Sequence, residues 1–186
     1  MTARPARRDG PRPALVFDSM FLSGFAGADR LDVLQDLLLA QTCWTTTVVR
    51  SELSDGLSAH PHLRRALDID WMQIATLETL EELQTFVEWT KRLGSGKRGL
   101  GEASVFAAAQ LQRGIAITDD RGATKVARKH GAEVHGTIWL LAEFVNDGKL
   151  TVAAAGGLID TLRVDGMRLP CSGDGFPAFA RGAGLL

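Results

Sequence analysis

The sequence predicts a three-layer α/β/α domain with a central, mostly parallel sheet. Three observations carry this. Short apolar runs alternate with longer amphipathic segments, as strands alternate with covering helices. Several of those runs are apolar throughout and stop at an acidic residue, the pattern of a strand buried on both faces that ends at a sheet rim. The 186 residues, 45% hydrophobic and 23% charged, suffice for one sizeable core and fit neither a disordered nor a disulfide-stapled chain.

The elements follow in order. Residues 1–13 are rich in Pro and Arg without periodicity, and are expected to form a disordered basic arm; the domain is expected over 14–170. Residues 14–17 form the first apolar run and end at Asp18, and 31–40 place leucines at helical spacing. The β-branched stretch 45–49 predicts a second strand, with a helix over 52–57, and 71–75 predicts a short strand. Over 77–93 a helix is expected with Leu80, Leu83, Phe86 and Val87 as its apolar face. Small and apolar residues over 101–113 (Ala103, Phe106, Ala107, Leu111) predict a helix packed closely on a sheet and ended by Gly114. The run 115–118 is a strand leading into Asp119-Asp120. After it come a helix over 121–130, a short strand over 133–135, a helix over 137–145 and another over 155–162. Residues 171–186 read as a loose tail.

Composition excludes several classes of function. Cys43 and Cys171 form no close pair, which points to a reducing, cytoplasmic setting and to thiols that pack. No apolar stretch reaches the roughly 20 residues of a membrane span, and the run after the basic N-terminus is too short for a signal peptide. With a formal net charge of −1 there is no global attraction to nucleic acid, so such binding requires local basic clusters or a screening metal.

In a parallel sheet the ligand site lies outside the carboxyl ends of the strands, so acids directly after strands are the ones to collect. Asp18, Asp119 and Asp120 qualify; Glu52 and Glu102 stand near the starts of helices that reach the same rim. Taken singly, each is more readily a helix cap or first-turn acid, and the set as a whole is what carries the argument. Gathered together they repel unless a cation lies between them, and an all-oxygen set suits Mg²⁺ or Mn²⁺. Such an ion polarises a phosphoryl oxygen and activates water.

The ordered set of motifs resembles the PIN-domain family, in particular its VapC-like toxin branch. Leu15-Val16-Phe17-Asp18-Ser19 is similar to the family's first strand and acid, and Val48-Val49-Arg50-Ser51-Glu52-Leu53 to its second acid. Gly99-Leu100-Gly101-Glu102-Ala103-Ser104 looks like the third motif, although much of the family has Asp where Glu102 stands. Ile117-Thr118-Asp119-Asp120-Arg121, followed by Gly131 and Gly136-Thr137, looks like the fourth. Either Asp119 or Asp120 is the fourth ligand, and the Thr-x-Asp form favours Asp120. The resemblance implies a Mg²⁺- or Mn²⁺-dependent endoribonuclease in which Asp18, Glu52, Glu102 and Asp120 or Asp119 hold the metal. It also implies in-line attack of water on phosphorus, an RNA substrate, a small antitoxin protein as partner, and a homodimer. Ser19 and Thr118 adjoin the proposed ligands and are candidates to hydrogen-bond them.

Other features carry less. Gly94-Ser95-Gly96-Lys97-Arg98 lacks both the leading Gly and the trailing Ser/Thr of a phosphate loop, but Lys97 and Arg98 remain candidates to touch substrate phosphate. His60 and His62 have no nearby Cys or His to complete a metal set. Trp44, Trp71, Trp89 and Trp139 fall on apolar segments and read as core. Two other functions use similar residues: a nucleic-acid- or partner-binding module without nuclease activity, and a metal-dependent phosphatase. The phospho-aspartyl type of phosphatase needs Asp-x-Asp after the first strand, where this chain has Asp18-Ser19-Met20.

Overall fold

The computed structural model describes residues 12–94 and 99–186. Lys97, Arg98 and positions 1–11 of the expected arm lie outside the described residues. Among those described, the strands β1 (Leu15–Phe17), β2 (Cys43–Thr46), β3 (Gln73–Ala75), β4 (Ile115–Ile117) and β5 (Val134–His135) form one sheet. Its order is β3-β2-β1-β4-β5 and every pairing is parallel. Helices flank it in a three-layer α/β/α arrangement, and β1 and β4 are buried along their whole length, as their unbroken apolar sequences require.

The order fixes where a site belongs. The chain runs from β1 outward to β2 and β3, then crosses back to place β4 on the other side of β1. The connections therefore diverge between β1 and β4, and a crevice opens at the carboxyl ends of those two strands.

The helices are α1 (Ser19–Gly27), α2 (Leu31–Leu37), α3 (Thr47–Asp55), α4 (Leu63–Leu67), α5 (Leu80–Leu93), α6 (Leu100–Leu111), α7 (Arg121–Lys129), α8 (Thr137–Asn146), α9 (Val152–Val164) and α10 (Phe176–Gly182). Helix α6 is apolar nearly all round because it lies against both the sheet and α5; Ala103, Val105, Phe106 and Ala107 are each fully buried.

Several expectations need correcting. The sequence predicts no helix directly after Asp18, yet α1 is there, capped by the Asp18 side chain and packed through Phe17, Phe21 and Phe25, whose successive ring centroids are 4.9 and 4.7 Å apart. The second strand does not run to 49: it ends at Thr46, whose hydroxyl accepts from Val49 N–H and starts α3, so local capping overrides β-branched propensity. Helix α5 is turned relative to its expected face. Leu80, Leu83 and Val87 are exposed, whereas Trp89 is buried against Phe106 with its indole N–H donating to Gln110. Instead of a loose tail after 171, α10 packs on α8 and α9 with Phe176 and Ala180 fully buried. Trp44, Trp71 and Trp139 pack against the core, as their apolar surroundings suggest.

Candidate active site

The five acids singled out in the sequence come to one rim of the sheet from four elements. Asp18 leaves β1 as the N-cap of α1, and Asp119 and Asp120 leave β4 next to it. Glu52 sits on the second turn of α3 rather than at its start, and Ser19 brings it to the β1 end by donating to its Oε2 at 2.8 Å. Glu102 lies in the first turn of α6.

Asp18 is almost fully buried at the crevice between β1 and β4. One carboxylate oxygen accepts from Phe21 N–H at 2.7 Å, and the other accepts from the Thr118 hydroxyl across the crevice. Burial pushes its pKa up to about 7; the Thr118 and Phe21 hydrogen bonds oppose that, and the charges of Asp119 and Glu102 add to it. Glu102 is also shifted up, first by burial and then by Glu52 and Asp120. The charges acting on Asp18 and on Glu102 bring all five carboxylates into one electrostatic cluster.

The surroundings favour oxygen donors held close together. A Cβ built on Gly101 would lie 2.4 and 2.6 Å from the Glu52 oxygens, so glycine there leaves the space the carboxylate fills. Behind the acids runs a chain of buried hydroxyls. Ser104 donates to the Gly101 carbonyl at 2.7 Å, which leaves the Thr46 hydroxyl to donate to Ser104 Oγ, also at 2.7 Å. This bridge ties the first turn of α3 to that of α6 and so fixes the two glutamate-bearing helices together.

The Asp119-Asp120 pair separates by role. Asp119 accepts from both the backbone N–H and the hydroxyl of Thr137, which pins the start of α8 to the end of β4. Burial raises its pKa, and the Thr137 hydrogen bonds oppose the rise. Asp120 uses one oxygen to cap α7 through Ala123 N–H at 2.7 Å, and its charge reaches Glu102. Thr137, Thr46 and Ser104 are supporting residues whose roles sequence reasoning missed, although Ser104 and Thr137 stand in the third and fourth motifs. Thr137 is the first residue of α8, after the N-cap Gly136, and its hydroxyl reaches Asp119 rather than capping the helix, whereas Thr46 ends a β-branched run as the N-cap of α3. Only Thr46 carried a local signal, that of capping, which is common everywhere.

Among the described residues no three acids already converge on one point in a ready-made metal site. The donor set nonetheless fits a hard divalent cation, because like-charged carboxylates are packed together at a cost in solvation that a cation between them offsets. His60 and His62 stay apart from this cluster on the surface, and Cys43 is buried with a thiol pKa pushed up to about 12 by burial.

A crevice at the carboxyl ends of a parallel sheet, lined by acids from β1, β4, α3 and α6, is where an open α/β sheet takes a ligand, and its carboxylates suit a hard cation. A family model described as a PIN domain matches residues 14–172, so the chain belongs to the PIN-domain family. Among curated proteins no relative matches the chain. PIN domains are generally nucleases and generally use divalent metals such as Mg²⁺.

Proposed function

We propose that this chain is a Mg²⁺- or Mn²⁺-dependent endoribonuclease that hydrolyses phosphodiester bonds in RNA. The observation that supports it best is the single cluster formed by Asp18, Glu52, Glu102 and Asp120, with Asp119 beside it, at the β1–β4 crevice of a PIN fold. Asp18, Glu52, Glu102 and Asp120 would hold the cation, directly or through water; Asp119, with both oxygens engaged by Thr137, positions the β4–α8 junction instead. A cation bound there supplies neutralisation of the carboxylates and Lewis-acid polarisation of a phosphoryl oxygen. The chain's own residues do the rest. Ser19 and Thr118 hold the Glu52 and Asp18 carboxylates in orientation. Glu102, half-buried in the first turn of α6 beside Glu52 and Asp120, would orient the cation's water toward phosphorus.

The likeness of the motifs around Asp18, Glu52 and Glu102 to the VapC-like branch supports a role as the toxin of a toxin–antitoxin pair, with a small antitoxin protein as partner. A second reading has an observation in its favour: both oxygens of Asp18 are engaged by protein donors and no three acids converge among the described residues, as expected of a PIN-like binding module without turnover. Incubating the purified chain with structured and unstructured RNA, in Mn²⁺ or in chelator and beside Asp18→Asn, separates the two. Cleavage that needs both Mn²⁺ and Asp18 supports the nuclease; RNA binding without any cleavage supports the module.

A further inference from the structure

Helix α7 carries a row of cations that the acid site does not use. Its nine residues include Arg121, Lys125, Arg128 and Lys129 and no acid. The four project from one side, with Arg121, Lys125 and Lys129 at i, i+4 and i+8, while Ala123 and Ala127 on the opposite side are buried. All four cationic residues are exposed. Arg128 is partly committed, since it donates to the Val134 carbonyl at 3.0 Å. Ion pairs among the described residues lie elsewhere, at Arg12–Asp147, Arg64–Asp68, Arg65–Asp29, Arg92–Glu88 and His135–Glu133.

The row also has a fixed start. The N-cap of α7 is Asp120, a member of the acid cluster, so the cations begin one residue from the candidate active site and lead away from it. Successive members of the i, i+4, i+8 row advance about 6 Å along the axis, from about 1.5 Å per residue. That is on the order of one nucleotide of an extended single strand, for which a basic track along the backbone is the general mode of binding. In a chain of formal net charge −1 whose active site is itself acidic, attraction to a polyanion needs local basic groups or a screening cation, and α7 supplies such a group.

We infer that α7 is the track along which a single-stranded RNA leaves the acid site, its phosphates met in turn by Arg121, Lys125 and Lys129. The inference rests on the nuclease reading above and extends it to a binding surface outside the reacting atoms. These cations meet the backbone, so they lengthen the footprint without reading sequence.

The test uses the full chain in chelator, so that no cleavage intervenes, with fluorescence anisotropy on synthetic single-stranded RNAs of about 4 and about 12 nucleotides, within the range of known single-strand site sizes. The variant is Lys125→Gln with Lys129→Gln, two exposed positions where Gln keeps helix propensity. Arg163→Gln with Arg181→Gln on α9 and α10 makes the same charge change elsewhere. The α7 variant should bind the longer RNA roughly tenfold more weakly, with a salt slope smaller by about 1.4, because each phosphate no longer neutralised removes about 0.7. The loss should be smaller for the short RNA, which spans fewer of the phosphates the row meets, and the α9/α10 variant should match wild type. An α7 variant that binds the longer RNA like wild type overturns the track, and that is the result an α7 face for an acidic protein would give. Equal losses in both double variants overturn it too, since net charge alone would then explain binding. Cleavage in Mn²⁺ is scored separately: α7-dependent binding without cleavage sinks the nuclease reading and leaves the track, whereas cleavage with an unchanged slope sinks the track alone.

Discussion

At the scale of single residues, Asp18 contributes an instability that the site's chemistry explains. Its carboxyl titrates at about 7 in the fold against an ordinary value near 3.8, so between those values the folded chain binds the proton and the unfolded chain does not. Metal-free stability should therefore fall as pH rises from about 4 to about 7 and level off above, by on the order of 2–4 kcal/mol. Asp18→Asn should reduce that slope to what Glu102 and Asp119 contribute and raise the metal-free melting temperature at about pH 8 while abolishing cleavage; thermal scans across pH in chelator check it, and parallel slopes in wild type and variant would place the titrating group elsewhere. Gly101→Ala is the complementary case. Its Cβ would displace the Glu52 carboxylate, a flexible end group, so cleavage should drop by at least ~10-fold while stability holds or rises by up to about 1 kcal/mol, as for Gly→Ala in a helix. The acids themselves were legible in the sequence because each follows a strand or opens a helix. The roles of Thr137, Thr46 and Ser104 were not, because the partner each hydroxyl reaches lies on another element and leaves no local pattern.

Among the elements, those read correctly had strong periodicity or unbroken apolarity: β1, β4, α6 and α8 lie close to where the sequence puts them. Helix α1 escaped because Gly24 and Gly27 lower its intrinsic propensity; tertiary packing and the Asp18 cap hold it, and a Cβ at Gly24 would run into Met167. The face of α5 was misjudged because periodicity finds an apolar stripe without saying what covers it. Trp89 alone, against Phe106, outweighs the more numerous leucines in setting which side turns inward. Helix α10 is too short to register, yet it closes the core beyond the end of the PIN match at 172. Phe176→Ala should accordingly cost about 3–5 kcal/mol, the usual range for a fully buried phenylalanine, measured by urea denaturation. A loss below ~1 kcal/mol would mean that α10 is a removable appendage.

For the molecule as a whole, the β3-β2-β1-β4-β5 order converts four separate stretches of sequence into one acidic rim, and the short strands hold those acids within reach of each other. That concentration of like charge is tolerable if a cation completes it, so saturating Mn²⁺ should raise the melting temperature of wild type, by about 2.7 kcal/mol of stability at about 100 times its dissociation constant. No helix among the described residues is long and apolar enough to cross a membrane. The membership of the rim as a reacting centre is tested most directly through Glu102, the acid that departs from the commoner Asp. Single-turnover cleavage of RNA at saturating protein in Mn²⁺ should fall by at least ~100-fold in Glu102→Gln, with RNA affinity in chelator equal or improved because a carboxylate of the acid cluster is gone. Cleavage at the wild-type rate by a folded Glu102→Gln variant would contradict the account.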